Sequence, residues 1–393
     1  MNPDPAADVF ARARALIEDR SLRAVTEWKA AHPDGLAIGH MPIYFPRPLL
    51  EAIGCLPVAI FGGGDDLEII RGDSFFQSYI CHIPRSTVEL GLSGHLDALD
   101  GMLFPSICDV IRNLGGMWRM LFPQKYVSYV DFPQNFDPEV GGHFYAGELR
   151  RIARELEARG ARPLRSEALR EAIAREDRRR AAIEELDAIR RAEPSRLRAS
   201  EAYLALRAGA ALTAEEHERL LREIIGAVKA RQARVVDNVR VLIVGAFCEQ
   251  PPFELIVALE KAGCDIVEDD FQLGMRMIEG KIGARDDEDP IDALSRAFLV
   301  RGQETASRYI GELVKGASLV ARARKLEVDG VIFAAASFCD PALLDQPMLE
   351  RALDRASIPH TGFKYAENTG NLGVIREQAG AFSDSVKLWG ATP

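Results

Sequence analysis

LAIGHMPIYF (36–45), LPVAIFGG (56–63), GMLFPSI (101–107) and KYVSYVDF (125–132) are four short apolar runs, each bounded by Gly, Pro or Asp. Their length and punctuation read as buried strands. Between them stand RPLLEAIG (47–54), PRSTVELGLSGHLDAL (84–99) and DVIRNLGGMWRMLF (109–122), which read as helices. Strand alternating with helix predicts a parallel sheet covered on both faces.

The same rhythm returns after a long interruption. VRVLIVGAF (239–247), CDIVEDD (264–270), VDGVIFAAASF (328–338) and IPHTGFKY (358–365) read as strands. FELIVALEKAG (253–263), TASRYIGELVKGASLVARARKL (305–326), ALLDQPMLERALDRA (342–356) and VIREQAGAFSDSVKLW (374–389) read as helices. The interruption, from about Ala146 to Arg234, is rich in Arg, Glu and Ala, as in AREDRRRAAIEELDAIRRAE, and holds no Cys. Such text predicts exposed helices laced by i,i+4 ion pairs, a solvated insertion or a dimer-contact hairpin. The first thirty residues, with Val9, Ala13, Ile17, Leu22 and Val25 at nearly helical spacing, read as one helix. The expected organisation is a helical N-terminus (1–30), a first α/β domain (31–145), a helical middle segment (146–235) and a second α/β domain (236–393).

Composition narrows the partners. The 393 residues carry 49 Lys and Arg against 59 Asp and Glu, a net charge of −10. Nucleic acid and anionic membranes demand a basic footprint, so neither is expected as a partner. MNPDPAADVF lacks the basic and apolar regions of a signal peptide, and no apolar run reaches the roughly 18 residues of a membrane helix. A cytoplasmic protein is expected. Six cysteines are too few for a disulfide scaffold.

Three of those cysteines occupy one kind of place. Cys108 directly follows GMLFPSI and Cys339 directly follows VIFAAASF, each with Asp after it (SICD, SFCD). In open α/β sheets ligands gather outside the carboxyl ends of strands. Cys81, in QSYICHIPRS, precedes a helix, and the three can converge between the domains. Lacking a CxxC pair, they do not suit a structural zinc. Three thiolates suit a [4Fe–4S] cluster whose fourth iron stays open. The ordinary state of a cysteine is burial as a small hydrophobe, and Cys55, Cys248 and Cys264 are read that way. Spacing alone leaves Cys81, Cys108 and Cys339 between the two readings.

FGGGDDLEIIRGDSFFQSYICHIPRSTVELGLSG (61–94), LDGMLFPSICDVIRNLGGMW (99–118) and FPQKYVSYVDFPQN (122–135) resemble the benzoyl-CoA reductase/2-hydroxyacyl-CoA dehydratase family. EDDFQLGMR (268–276) and YAENTGNLGVIREQAGAFSDSVKLW (365–389) fit the same family, and SYICHIPRSTVELGLSG and DDFQLG favour its reductase branch. The resemblance covers nearly the whole chain and is weakest in the Arg/Glu-rich middle. It implies two flavodoxin-like (Rossmann-like) open parallel-sheet domains with a cluster in the cleft between them. It implies that Cys81, Cys108 and Cys339 ligate that [4Fe–4S] cluster. It also implies a homologous iron–sulfur subunit as partner, ATP-hydrolysing activator subunits, and ferredoxin as donor. The implied reaction reduces benzoyl-CoA, or a ring-substituted aryl-CoA, to a cyclohexa-1,5-diene-1-carbonyl-CoA in anaerobic aromatic degradation. A 2-hydroxyacyl-CoA dehydratase subunit and a non-catalytic electron-relay or scaffold subunit stand as alternatives.

Other features carry less. Gly62-Gly63-Gly64-Asp65-Asp66 lacks GxGxxG spacing and reads as a tight strand-exit turn. No GxxxxGK[ST] occurs, so ATP is expected on partner subunits and not on this chain. His82 and Arg85 stand near Cys81, where a cation or donor would raise a cluster's potential. Glu268, Asp269 and Asp270 are read as helix-capping or cleft-lining acids. Arg376 either faces the acyl-CoA or forms a surface ion pair.

Overall fold

The computed structural model describes residues 4–41, 45–64, 67–232, 234, 236–246, 251–271, 278–302, 314–366 and 372–389. The chain opens with α1 (Ala7–Glu18) and α2 (Arg23–Ala31), then β1 (Leu36–His40), α3 (Arg47–Ala52), β2 (Cys55–Ala59), α4 (His82–Leu92), β3 (Gly101–Pro105), α5 (Asp109–Leu121) and β4 (Tyr126–Val130). Helices α6 (His143–Glu157), α7 (Ser166–Ala192), α8 (Ala199–Arg207) and α9 (Ala214–Lys229) follow. The second half runs β5 (Val239–Val244), α10 (Phe253–Lys261), β6 (Cys264–Asp269), α11 (Pro290–Arg301), α12 (Ala317–Lys325), β7 (Gly330–Ala336), α13 (Asp340–Arg355), β8 (His360–Tyr365) and α14 (Leu372–Trp389).

Both sheets are four-stranded and wholly parallel, ordered β2-β1-β3-β4 and β6-β5-β7-β8. The two orders are the same once each sheet is numbered from its own first strand. This is the flavodoxin-like plan, in which the chain reverses direction across the sheet between the first and third strands. Central strands β3 and β7 are buried throughout, whereas edge strand β4 alternates buried and half-buried residues. Helices on both faces explain the unbroken apolar runs of the central strands.

Two expectations change. The N-terminal helix is two helices, because Leu22 adopts a left-handed φ of 51° and Asp19 accepts the N–H groups of Ser21 (3.1 Å) and Arg23 (2.8 Å). A short acid bonding to its own following backbone competes with helix continuation. The Arg/Glu-rich segment is not an exposed insertion either. Helix α7 buries Leu169, Ile173, Ile183 and Leu186, and with them Glu176, Arg179, Arg180, Asp187 and Arg190.

Those charges are paired inside the protein. Arg190 reaches Asp269 at the end of β6 (2.6 Å) and Asp187 (2.9 Å), while Arg179 meets Glu176 (2.6 Å). Arg180 donates to the carbonyl oxygens of Gly280 (2.7 Å) and Ile278, and Asp177 accepts the N–H of Ile282 (2.6 Å). Near its other end Arg175 approaches Glu51 of α3 (3.9 Å). Twenty-seven residues of helix span about 40 Å, long enough to brace both sheets. One contiguous core accordingly runs from Ala6 to Val386, with a smaller cluster of Leu242, Leu319, Val331, Phe333 and Leu353 beside it.

Candidate functional site

The identical strand orders place Cys108 and Cys339 at equivalent positions. Each lies three residues beyond the third strand of its own sheet, after Pro105 and after Ala336. That is the carboxyl edge beside the reversal of strand order, where flavodoxin-like sheets hold ligands. Each is also the residue that opens a helix, Cys108 before α5 and Cys339 before α13. Cys81 does the same for α4, which packs on α5. All three are thiols and not halves of disulfides. A helix N-terminus carries unsatisfied N–H groups and roughly half a positive charge, so each thiol stands where its anion is favoured.

Cys108 shows this balance. Burial pushes its thiol above the ordinary value, the N–H groups of Ile111 and Val110 oppose the shift, and negative charge on Cys339 adds to it. Two thiols from different sheets therefore lie within each other's electrostatic range. Cys339 is delivered by a tight turn in which its N–H donates to the Ala336 carbonyl (3.0 Å) and Phe338 takes a left-handed φ of 65°. A bulky residue there is unusual, and its ring is half exposed.

Cys55 and Cys264 are the first residues of β2 and β6, on the opposite edge of their sheets. Both are buried and pushed up to about 12, chiefly by desolvation, as befits cysteines that only fill the core. Cys248, Asp65 and Asp66 lie outside the described residues.

Among the described residues no three His, Cys, Asp or Glu side chains gather around a point that would hold one metal ion. Ligands of a cubane bind separate irons at different corners, so they stand farther apart than the ligands of a single ion. Three thiols, each at a helix N-terminus and two of them, Cys108 and Cys339, within electrostatic range of each other, fit that donor set.

Other features near Cys81 also find their roles. His82 is half-buried and pushed down to about 4, first by desolvation and then by Arg85, with Asp73 opposing, so it is neutral at pH 7. Arg85 is held in a fork by Asp73 (2.7 and 2.9 Å). Glu89, which sequence reasoning missed, pins the loop leading to Cys81. One of its oxygens accepts the N–H groups of Ile70 (2.9 Å), Arg71 (2.6 Å) and Gly72 (2.9 Å). Three such bonds hold Glu89 below the ordinary carboxylate range despite the cost of desolvation. Gly72 permits the approach, since a Cβ there would stand 2.2 Å from the Arg85 carbonyl oxygen. The only sequence signal is an acid inside the apolar stretch STVELGL.

The glycine turn after β2 is the expected strand exit. Gly62 and Gly64 have φ of 78° and 71°, and the Gly63 N–H donates to Ser86 Oγ (3.0 Å). Of the three acids, Glu268 pairs with Arg191 and Arg322 and Asp269 with Arg190. Asp270 accepts the N–H groups of Gly245 (2.7 Å) and Ala246 (3.0 Å), tying β6 to the end of β5. Asp269 also accepts the N–H of Phe271 (3.0 Å), so among the described residues these acids brace β6 and its exit, while the segment they were expected to cap, 272–277, lies outside the described residues. Arg376 stands on the exposed face of α14. Among the described residues no helix is long and apolar enough to cross a membrane.

Residues 42–386 match the family model described as 2-hydroxyglutaryl-CoA dehydratase, D-component. The chain belongs to this family. It is 47% identical over 384 residues to a benzoyl-CoA reductase subunit of Thauera aromatica, covering 98% of this chain and 99% of that one. It is 26% identical over 350 residues to the (R)-phenyllactyl-CoA dehydratase beta subunit of Clostridium sporogenes, covering 89% and 91%. It is also 26% identical over 363 residues to the beta subunit of (R)-2-hydroxyglutaryl-CoA dehydratase of Acidaminococcus fermentans, covering 89% and 92%. The sequence resemblance and the family match agree, and members of this family include both reductase and dehydratase subunits.

Proposed function

We propose that this chain is an iron–sulfur subunit of an ATP-dependent benzoyl-CoA reductase, working in the cytoplasm on benzoyl-CoA or a ring-substituted analogue. The observation that carries the reading is the equivalence of Cys108 and Cys339, one from each sheet, at corresponding strand ends. The 47% identity to a benzoyl-CoA reductase subunit supports the reaction. Cys81, Cys108 and Cys339 would hold a [4Fe–4S] cluster. When bound, such a cluster supplies single low-potential electrons and leaves one iron open.

The chain's own residues prepare that site. The three helix N-termini offset the negative charge of thiolates. Burial of Cys339 and half-burial of Cys81 and Cys108 keep bulk water from the edge. His82 remains neutral and the Arg85 charge is balanced by Asp73, so neither adds a net cation that would raise the potential. Glu89 fixes the approach to Cys81. With no P-loop in the sequence, ATP hydrolysis falls to activator subunits, with ferredoxin as the donor and a homologous iron–sulfur subunit as the pairing partner.

The test is iron content after anaerobic purification with the partner subunit. About four irons per chain are expected. Cys81→Ser, Cys108→Ser and Cys339→Ser should each lose iron, while Cys55→Ser and Cys264→Ser keep it. Full iron retention in Cys339→Ser would end the inter-sheet cluster. The 26% identity to dehydratase beta subunits favours a second reading, a 2-hydroxyacyl-CoA dehydratase subunit. ATP consumed with every turnover supports the reductase, whereas ATP needed only to initiate supports the dehydratase.

A further inference from the structure

A cavity of about 850 Å³ opens where the segments leaving β2, β5 and β8 meet α1 and α8. Its size falls within the roughly 300–1,000 Å³ of small-molecule sites. Val58, Ile60 and Leu204 give it an apolar wall, and three arginines, Arg14, Arg20 and Arg207, give it cations.

Arg207 ends α8 and is half-buried. Its guanidinium lies 5.6 Å from the Phe61 ring centre and 5.7 Å from that of Tyr203. One N–H donates to the Tyr203 hydroxyl (2.7 Å), which in turn donates to the Pro251 carbonyl oxygen (2.9 Å). Among the described residues Arg207 meets no carboxylate. Arg14 of α1 lies 4.3 Å over the Phe253 ring and touches Glu18 at 3.4 Å. The remaining acids on the wall are Asp19, which already accepts the Ser21 and Arg23 N–H groups, and the exposed Glu254.

A guanidinium stacked on rings keeps its planar fork pre-oriented, and the fork matches carboxylate or phosphate. Among the described residues only one of its five N–H donors is engaged, by the Tyr203 hydroxyl. The glycine turn adds backbone that approaches the cavity without side chains, and a Cβ on Gly62 would stand 2.6 Å from Ser86 Oγ. Ser86 belongs to α4, the helix that Cys81 opens, and Leu90 of the same helix lines the cavity.

We propose that this cavity binds the phosphate-bearing end of a CoA thioester, with Arg207 gripping a phosphate and Arg14 assisting. The phosphate chemistry is shared with free nucleotides; the assignment to CoA rests on the reading that the enzyme acts on an acyl-CoA. An elongated thioester anchored here has its acyl end free to run toward the cysteine edge.

Equilibrium dialysis of the full chain against CoA, ATP and inorganic phosphate tests this. CoA should bind, ATP more weakly, and phosphate most weakly. Removing a charge-assisted hydrogen bond in Arg207→Gln should weaken CoA binding by about tenfold or more. Arg207→Lys should fall between, and Arg14→Gln should weaken binding independently. Thermal midpoints of the variants confirm folding. Unchanged CoA affinity in Arg207→Gln, or no CoA binding by the unaltered chain, overturns the site. ATP binding more tightly than CoA overturns the CoA assignment. Iron content of the same preparations separates the two readings. Iron retained without CoA binding sinks this inference alone; CoA bound without iron sinks the cluster alone.

Discussion

Replacing His217 with Gln should make the protein resist acid. His217 lies on α9, fully buried in the helical bracket between the sheets. Its Nε2 donates to the Ala205 carbonyl oxygen (2.9 Å), and its Nδ1 accepts from Arg179 Nη1 (3.2 Å). This partner set requires the neutral tautomer with hydrogen on Nε2. A second proton would face a guanidinium. Desolvation and then Arg179 push His217 from 6.5 down to about 3, with Arg47 adding to the fall while the Ala205 carbonyl and Glu176 oppose it. Between those values the unfolded chain binds a proton that the folded chain refuses. Stability is therefore fully present above pH 6.5 and is lost as pH falls toward 3. At about 1.4 kcal/mol per pH unit, the loss is about 3 kcal/mol at pH 4.5 and about 5 kcal/mol at pH 3. Glutamine retains a donor and an acceptor but does not titrate in this range. Urea unfolding followed by circular dichroism at pH 7 and 4.5 provides the assay. The Gln variant should lose about 3 kcal/mol less than the parent between those pH values. Other titrating groups, including His40 (pushed down to about 4, mainly by burial), are common to both chains and cancel. Equal losses would show that His217 does not carry this acid sensitivity.

Arg190→Ala leaves Asp187 and Asp269 without their shared guanidinium and should cost about 3–5 kcal/mol, read as a lower thermal midpoint. A drop equivalent to less than about 1 kcal/mol would mean that α7 does not depend on this pair. Glu89→Gln weakens three hydrogen bonds to the loop before Cys81, since a neutral acceptor is roughly half as strong as a charged one. Amide exchange at 70–72 should rise while β1 and β3 stay protected; unchanged exchange there would refute the pinning role.

Much of the fold is written locally. GMLFPSI, VIFAAASF and their neighbours are apolar because both faces of a parallel sheet are covered, and that demand acts residue by residue. The strand ends, and hence the helix-opening positions of Cys108 and Cys339, follow from the same text. Sequence alone thus located the cysteines, the alternation of strand and helix and the absence of a P-loop. Tertiary structure decided what distant segments do to one another. The local text of α7 is charged enough to be a solvated helix; only packing shows that Glu176, Arg179 and Arg190 are buried, because each finds its partner there, including Asp269 from β6. The break at Leu22 depends on a side chain bonding to backbone, which apolar periodicity does not record. The same holds for Cys108 and Cys339. Each sheet fixes its own cysteine, but their mutual range depends on how the two sheets are held, and the braces that hold them come from the stretch whose composition looked least structural.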